Sequence, residues 1–292
     1  MKMFSLFGRR SLDTEWNYTP GGGIWRILFT SGRIVGECRN HESKQASFFC
    51  LDERTGSVAW QDVRVNEPWW VGIDALHQGV IILHLFANPS LPEHKGLIAL
   101  DLDTGRELWR NEQLTFWFAY RDKLFAYKTE YERRTCYALR LRDGAIEQEF
   151  GDALAELFVL RQLAADEQER EGFLFPEVVN KDSLTPQESA VLKKELHSLA
   201  THGDIEMIRQ DGYMLMNYYR ESRYSTPEAL ILENHFSVYN LESGNRLFSD
   251  ILSTNAKAAT PDSFFMRNNL AFFVKNQNTL TALRLDKGQR TL

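Results

Sequence analysis

The chain has 292 residues, of which 43% are hydrophobic, 12% aromatic and 25% charged, a composition that supports a large core and excludes wholesale disorder. The formal net charge is −6, which argues against nucleic acid as a partner because nucleic-acid-binding domains usually carry a basic excess. No apolar run approaches the roughly 18 residues that a membrane-spanning helix needs, so we expect no membrane contact.

The N-terminal segment MKMFSLFGRR does not match a secretory signal. Its apolar part is short and is interrupted by Gly8 and by the pair Arg9-Arg10. Because a signal peptide needs a longer apolar core, we expect a cytoplasmic protein. Residues 1–10 are expected to form a disordered tail.

The three cysteines fit the same compartment. Cys38, Cys50 and Cys136 form no C-x-x-C pair, and an odd, sparse set is not a disulfide framework. Cys50 and Cys136 fall in apolar, strand-like runs, so we expect them to be buried thiols.

Five segments of the chain share one pattern around a glycine. Each has an apolar or aromatic residue five positions before the glycine and a small or medium-sized residue six positions before it. The pattern predicts a β-hairpin, because small and large side chains then face opposite sides of a strand and glycine accepts the positive φ of the turn. The five glycines are Gly56, Gly105, Gly144, Gly244 and Gly288.

Two further strand-like runs precede each hairpin, so each unit contains four predicted strands. In chain order these runs are 24–29 and 33–38, 70–75 and 79–86, 115–119 and 123–128, 205–210 and 212–219, and 262–267 and 269–275. Four-stranded antiparallel units that repeat every 40 to 50 residues or so are typical of β-propeller blades.

The glycines lie 49, 39, 100 and 44 residues apart, so we predict five blades and an insertion in the long interval. A sixth, degenerate blade in that interval is the alternative. The fold class is therefore an all-β propeller, predicted as a single domain over residues 1–292.

One repeat resembles a known family. The segment LIALDLDTGRELW, residues 97–109, is similar to the repeat of the pyrroloquinoline-quinone-type (quinoprotein-like) β-propellers in its Ala-Leu-Asp, Thr-Gly and Trp positions. Residues 48–60 match nearly as well, whereas the other three repeats lose Asp, Thr or Trp. The resemblance implies a propeller of a bacterial family with this repeat type. It implies no activity, since the repeat occurs in enzymes and assembly scaffolds alike.

The long interval carries a predicted helical insertion at residues 153–204. The first part has apolar residues at helical spacing, namely Leu154, Leu157, Phe158 and Leu163. Residues 185–188, Thr-Pro-Gln-Glu, form a capping box with proline at the first helical position and predict a second helix. Residues 173–176 are predicted to be an extended anchor, and Gly203 is the predicted terminator of the second helix.

The net charge of the chain is concentrated in this region. Residues 152–204 contain 11 acidic and 5 basic residues, a net −6 that equals the charge of the whole chain. This charge is typical of a solvated helical surface. The alternative hypothesis is a negative surface that favours a basic protein partner and repels nucleic acid.

The last unit leaves little chain for its fourth strand, because only four residues follow Gly288. Propellers commonly avoid an exposed edge by taking the missing strand from the other terminus. The run 11–19 contains Glu15 and Trp16. We therefore predict that residues near Trp16 pair with residues 280–285 or with the short strand after them.

The predicted loops differ between the two ends of the units. The turns within the strand pairs are tight, whereas the other connections vary in length, and we expect ligand or partner contacts on that elaborated top face. Aromatic residues enter it at several strand starts and form the candidate binding set: Trp25, Trp69, Trp70, Phe116, Trp117 and Phe264. The alternative is that these bulky side chains pack between neighbouring blades.

No catalytic or metal-binding motif accompanies these aromatics. The seven histidines follow no H-E-x-x-H spacing, and no G-x-S-x-G, P-loop or G-x-G-x-x-G motif occurs. His77 and His84, on or near a predicted strand, are expected to be core or surface residues. We therefore expect no cofactor and no metal, and catalytic residues stay unassigned.

The favoured function is a non-catalytic cytoplasmic binding or scaffold propeller that recognises a protein partner through its top face. The alternative is an enzyme, a hydrolase or lyase of a sugar or small acid, with a top-face pocket. Two rim carboxylates about 5 to 10 Å apart would mark that alternative.

Overall fold

The structure is a computed structural model that describes residues 11–30, 32–88, 93–131, 133–151, 154–168, 172–197 and 200–285. These residues form 22 β-strands, two α-helices and one short 3₁₀ helix, so the all-β prediction is confirmed. The strands form five antiparallel sheets, each with four main strands. The chain divides into two compact units, Thr19–Glu171 and the combination of Met1–Tyr18 with Gly172–Leu292.

The unit Thr19–Glu171 contains three sheets and one helix. The first sheet has the order β2 (Gly23–Thr30), β3 (Arg33–Asn40), β4 (Gln45–Asp52) and β5 (Val58–Val63). The second has β6 (Val71–His77), β7 (Val80–Phe86), β8 (His94–Asp101) and β9 (Glu107–Asn111). The third has β10 (Thr115–Tyr120), β11 (Lys123–Glu130), β12 (Arg133–Arg140) and β13 (Ile146–Glu149), and helix α1 (Leu154–Gln168) packs against β10.

The other unit contains two sheets and one helix. One sheet has the order β15 (Glu177–Val178), β16 (His202–Gln210), β17 (Tyr213–Glu221), β18 (Leu232–Asn240) and β19 (Asn245–Ala256). The other has β1 (Thr14–Tyr18), β22 (Thr279–Arg284), β21 (Leu270–Lys275), β20 (Phe264–Arg267) and β14 (Phe173–Leu174). Helix α2 (Pro186–Leu196) lies in the same unit.

The repeated Asp and Thr positions build the hairpin turns. Asp52 Oδ1 accepts hydrogen bonds from the backbone N–H of Thr55 (2.9 Å) and from its hydroxyl (2.7 Å). Asp101 and Thr104 repeat this arrangement at 3.0 and 2.8 Å. Such a local side-chain contact fixes the turn without needing any other part of the fold, which is why the motif is visible in the sequence.

The repeated Gly and Trp positions connect one sheet to the next. Gly105 has φ 67° and Gly144 φ 69°, so both use the left-handed region. A Cβ on Gly105 would lie 2.9 Å from the Trp60 ring, and one on Gly144 would lie 2.6 Å from the Trp109 ring. The indole N–H of Trp60 also donates to the carbonyl of Leu102 at 2.7 Å. Each tryptophan therefore packs on the turn of the following sheet.

The N-terminal strand pairs with the last described strand, as the sequence predicted. Trp16 lies opposite Ala282 and Tyr18 opposite Leu280 in the antiparallel pair β1–β22. Trp16 is buried and its ring centroid lies 6.0 Å from that of Phe272. Residues 1–10 and the predicted turn at Gly288 lie outside the described residues.

Both predicted helices of the insertion are confirmed. The Thr185 hydroxyl accepts from the N–H of Glu188, and the Glu188 carboxylate accepts from the N–H of Thr185, which completes the capping box. The prediction that Gly203 ends this helix is wrong, because the helix ends at Leu196 and Gly203 lies within β16. The N–H of His197 closes the last turn on the carbonyl of Lys193.

The rest of the insertion extends the sheets beside it. In the predicted extended anchor, Phe173 lies opposite Arg267 in the pair β14–β20. The described residues of the interval 152–204 form no four-stranded sheet of their own. In the described part of the chain, no helix combines the length and apolar composition needed to cross a membrane.

The cysteine predictions agree with the structure. Cys38, Cys50 and Cys136 are all buried and unpaired. Burial raises the pKa of the Cys50 thiol to about 11, so it is protonated at neutral pH.

Candidate functional site

Two of the predicted aromatic residues enclose a buried ion pair. The Arg39 guanidinium carbon lies 5.3 Å from the ring centroid of Trp25 and 5.1 Å from that of Trp69. Arg39 is paired with the buried Glu37 at 2.6 Å and donates to the carbonyls of Trp69 and Val71 at 2.9 and 2.7 Å. Because Val71 begins the second sheet and Trp69 lies just before it, the cation joins that sheet to the first.

No pattern in the sequence indicates this ion pair, since Glu37 and Arg39 lie in an ordinary strand pattern. Trp25 nevertheless remains 65% exposed, so one edge of the group faces solvent. The group therefore has two possible roles, joining sheets and presenting an aromatic surface.

The ring of Trp70 lies near a second polar group, which sequence reasoning did not predict. Its ring centroid lies 5.7 Å from that of Phe86, and Phe86 lies 5.2 Å from both His84 and His94. Both imidazoles face Asp74. These three residues are the ones in the described part of the chain whose positions suit a metal ion.

The remaining predicted aromatics divide between surface and core. Trp117 is partly exposed and contacts Phe158 of α1, with ring centroids 5.5 Å apart, whereas Phe116 packs against the core between the second and third sheets. Phe264 is fully buried among Phe236 and other core residues, so its proposed place in a binding surface is corrected. An aromatic at a strand start satisfies core packing and surface patterns equally well, which is why the sequence did not separate them.

Helix α1 has one buried and one exposed apolar face. Leu157 is fully buried and Ala164 is 7% exposed, and both pack against the core of the third sheet. On the outer side Phe158, Val159 and Leu163 are 55%, 61% and 43% exposed. The outer side of the helix is therefore apolar and exposed.

A polar cleft of about 460 Å³ lies in the other unit. Its lining comes from α2 and from strands β17 to β19 and consists of Glu195, Tyr218, Arg220, His235, Ser237, Arg246, Ser249, Asp250 and Ile251. His235 stacks on Tyr218 with ring centroids 5.2 Å apart. Sequence reasoning did not bring these side chains together, because they come from separate elements.

Glu195 is the centre of this cleft. Its carboxylate accepts hydrogen bonds from the hydroxyls of Tyr218 (3.2 Å), Ser237 (3.1 Å) and Tyr239, and it pairs with Arg246 at 3.3 Å. Both oxygens are therefore occupied, and the carboxylate holds α2 on the sheet.

The titration of the cleft follows from these contacts. Burial alone would raise the pKa of Glu195, but the hydroxyl donors and Arg246 outweigh it and hold the pKa below its usual value. Burial and the nearby carboxylate raise the pKa of Tyr218 to about 12. Burial, followed by the charge of Arg220, lowers the pKa of His235. The cleft therefore holds an ionised glutamate and a neutral tyrosine at neutral pH.

The carboxylates of Asp250 and Glu233, which lie near Glu195, also form ion pairs. Asp250 pairs with Lys275 at 2.6 Å. Glu233 pairs with Arg220 at 2.8 Å and with His235 at 3.2 Å. A general acid needs a proton near neutral pH. Because the pKa of Glu195 is lowered, this residue does not meet that requirement.

Comparison with known proteins gives one family match, which covers part of the chain. Residues 30–109 are similar to the family described as a domain of unknown function, DUF4905. No match to the chain is found among curated proteins.

Several solved structures are distantly similar. One is described as the crystal structure of the eukaryotic initiation factor, with 9% identity and a TM-score of 0.34 over 78% of this chain and 55% of that chain. The AfRom2 CNH domain has 11% identity and a TM-score of 0.30 over 96% and 99% of the two chains. The Dos1 propeller has 9% identity and a TM-score of 0.31 over 91% and 68%. At these values the likenesses assign neither a fold nor an activity.

The chain spans about half the length of the initiation-factor structure that it matches, with 55% of that chain covered. The coverage of the other two structures is larger, but their identities are equally low. The physical properties of this chain's own surfaces therefore carry the functional argument.

Proposed function

We propose that the chain is a non-catalytic binding module built as a β-propeller of quinoprotein-like repeat type, and that it recognises a protein partner. Five repetitions of one four-stranded antiparallel sheet support the propeller, as does the N-terminal strand that completes the last sheet. Three buried, unpaired cysteines support a cytoplasmic location. A crystal structure in which the five sheets do not surround one axis would overturn the propeller.

The exposed outer face of α1 is the observation that carries partner binding. Phe158, Val159 and Leu163 are large apolar side chains, and each is more than two-fifths exposed. Ala155, Val159 and Leu163 lie four residues apart and form one stripe along the helix. A contiguous apolar stripe on a surface helix is a typical contact for another protein.

The charge around the stripe indicates the partner's chemistry. Glu156 and Asp166 are exposed acidic residues on the same helix, and Arg161 is an exposed basic residue there. Residues 152–204 together carry a net charge of −6. An acidic border favours a partner whose own apolar strip is flanked by lysine or arginine. The same border disfavours nucleic acid and anionic membranes as partners.

A photo-reactive amino acid at position 159 tests this proposal in cells that produce the protein. Irradiation should give one discrete adduct, and the bound protein should carry a basic, apolar surface. Val58, on β5 of the same unit and 45% exposed, is the matched control position and should give no such adduct.

Charge reversal separates specific docking from general stickiness. The double substitution Glu156→Lys, Asp166→Lys should weaken the adduct at position 159 because it removes the acidic border. An adduct of equal yield at positions 159 and 58, or one that the charge reversal leaves unchanged, would refute partner binding through α1.

An enzyme acting on a sugar or small acid is the second candidate, and the cleft around Glu195 favours it. The cleft has the size of a small-molecule site and is lined by two arginines, each of which is paired with a glutamate. A thermal-shift screen with monosaccharides and hydroxy acids tests it. Stabilisation that is lost in Arg220→Gln would support this candidate, and no stabilisation by any of them would exclude it.

A further inference from the structure

A β-bulge on β6, the first strand of the second sheet, places an aspartate out of register. Ile73 lies opposite Leu83 and Ala75 opposite Ile82, so Asp74 is the additional residue between two paired positions. A bulge redirects the side chain of its extra residue away from the regular alternation. Asp74 therefore reaches side chains on strands that a regular register would not bring to it.

Those side chains are two histidines on β7 and β8. His84 Nδ1 lies 2.9 Å and His94 Nδ1 3.4 Å from the same carboxylate oxygen, Asp74 Oδ1. The two imidazoles stack with centroids 3.5 Å apart and an angle of 7° between their planes. One nitrogen or oxygen atom from each of the three residues lies within 4.8 Å of the other two.

These separations suit ligands of one metal ion. Atoms bound at about 2.0 to 2.1 Å in a tetrahedral zinc site are roughly 3.4 Å from one another. The measured 2.9 and 3.4 Å lie close to that value. The stacked rings must tilt for both nitrogens to face one ion, and His94, whose side chain is 35% exposed, is the ring with room to move.

The carboxylate also has an unused acceptor. Asp74 Oδ2 is buried and has no hydrogen-bond partner among the described residues. A buried carboxylate oxygen without a donor is unfavourable, because it has lost water and gained nothing in exchange. A bound cation would satisfy this atom.

The surroundings hold the group in place. A Cβ on Gly72 would lie 2.9 Å from the His84 ring and 3.1 Å from Glu37 Oε2, so the histidine and the buried glutamate border the same narrow space. Glu37 itself is fixed by Arg39 at 2.6 Å and by the N–H of Ile73 at 3.0 Å. A carboxylate beside a metal-binding histidine is a common outer contact in zinc sites.

We propose that Asp74, His84 and His94 bind a divalent first-row transition-metal ion, with Zn²⁺ as the expected ion. Two imidazoles and one carboxylate are ligands of this class, and three protein ligands leave a position open to water or a further ligand. The site lies on β6, β7 and β8 and does not depend on partner binding through α1.

Titration calorimetry of the full chain, first treated with a chelator and then dialysed, tests the site with Zn²⁺ alone. We expect one ion per chain. Co²⁺ should give a visible absorption spectrum of a low-coordinate site with nitrogen and oxygen ligands. The substitutions Asp74→Asn and His94→Gln should each weaken Zn²⁺ binding at least about tenfold, since loss of even an outer-shell contact costs roughly that much.

The control is His77→Gln, which alters a histidine on the same strand β6 whose ring contacts the carbonyl of Arg121 instead. It should leave Zn²⁺ affinity unchanged. Because His94 is partly exposed, His94→Gln should keep the wild-type circular dichroism spectrum and remains informative if Asp74→Asn does not fold. Absence of stoichiometric binding, or equal affinity in wild type and His94→Gln, would show that the three residues form only a hydrogen-bonded group.

Discussion

Adjacent sheets are joined by different chemistry in the two units, although the same repeat position makes the contact. In the unit Thr19–Glu171, the residue four positions after each of the first two turn glycines is a tryptophan, Trp60 or Trp109. Its indole packs on the next turn and donates a hydrogen bond to a carbonyl there. In the other unit the same position is Phe248, whose ring lies 6.2 Å from Phe273 of the neighbouring sheet and has no donor.

The two units also differ in the buried contacts beside that position. In the first unit, the ion pair Glu37–Arg39 on β3 contacts the next sheet. In the second unit, the Phe236 ring packs at a tilt against Phe264 and Phe273, with centroids 4.9 and 5.0 Å away. A repeat position therefore specifies where sheets meet, and the surrounding residues decide whether the contact is polar or aromatic.

The largest expected effect tests the N-terminal strand of the second unit. Trp16→Ala should lower the free energy of unfolding by about 3 to 5 kcal/mol, because it empties a buried site beside Phe272 on the strand that pairs with β22. Trp25→Ala in the first unit is the control and should cost about 1 kcal/mol, since that ring is 65% exposed and mainly contacts Arg39. Urea denaturation measures both, and equal losses would contradict the assignment of β1.

The next effect distinguishes the two kinds of turn glycine. Gly144→Ala should cost about 2 to 4 kcal/mol, because it adds left-handed strain and a Cβ 2.6 Å from the Trp109 ring. Gly244→Ala should cost only about 1 to 2 kcal/mol, since φ is 62° there but the space around a Cβ is open. Thermal denaturation of the two variants checks which one loses more stability. A larger loss of stability in Gly244→Ala than in Gly144→Ala would contradict the prediction.

A smaller effect concerns the pH dependence of the second unit. The pKa of Glu195 is lowered in the folded state. Its contribution to the free energy of unfolding is therefore present above about 4.3, the ordinary pKa of glutamate, and is lost as the pH falls through the pKa of the folded state. Tyr218 has the opposite dependence, because its pKa is raised to about 12 in the folded state. Its contribution to the free energy of unfolding is lost as the pH rises above about 10, the ordinary pKa of tyrosine.

Glu195→Gln should therefore cost about 1 to 3 kcal/mol at pH 7 and flatten the stability curve on the acid side. Glu242→Gln, an exposed residue of the same unit, should leave the curve unchanged. Denaturation at a series of pH values measures both. An acid-side loss of stability that is as steep in Glu195→Gln as in wild type would exclude Glu195 as a contributor.

The smallest effect is at the start of α2. Thr185→Ala removes the side-chain acceptor for the N–H of Glu188 and should cost about 1 kcal/mol. Thr185→Ser keeps the hydroxyl and should therefore retain most of the stability that Thr185→Ala loses. Equal stability of Thr185→Ala and wild type would mean that Glu188 and its contact with Arg209 hold the helix start alone.

Patterns of short range accounted for most of the correct predictions. The hairpin turns, the capping box at Thr185 and the pairing of Trp16 with the last strand depend on residues that are close in sequence or on one repeated period. Gly203 failed as a helix terminator because a hydrogen bond from His197 closes the helix six residues earlier.

The amino-acid sequence by itself determined the five four-stranded sheets and both helices, because alternation, turn chemistry and caps act within a few residues. It also indicated the strand taken from the N-terminus, because the last repeat has too little chain for its fourth strand. Only the tertiary structure decided which polar side chains meet. Asp74 faces His84 and His94 because of a bulge, and Glu195 faces tyrosines on two strands. Register shifts and contacts between separate elements produce no periodic pattern in the sequence, so they cannot be predicted from it.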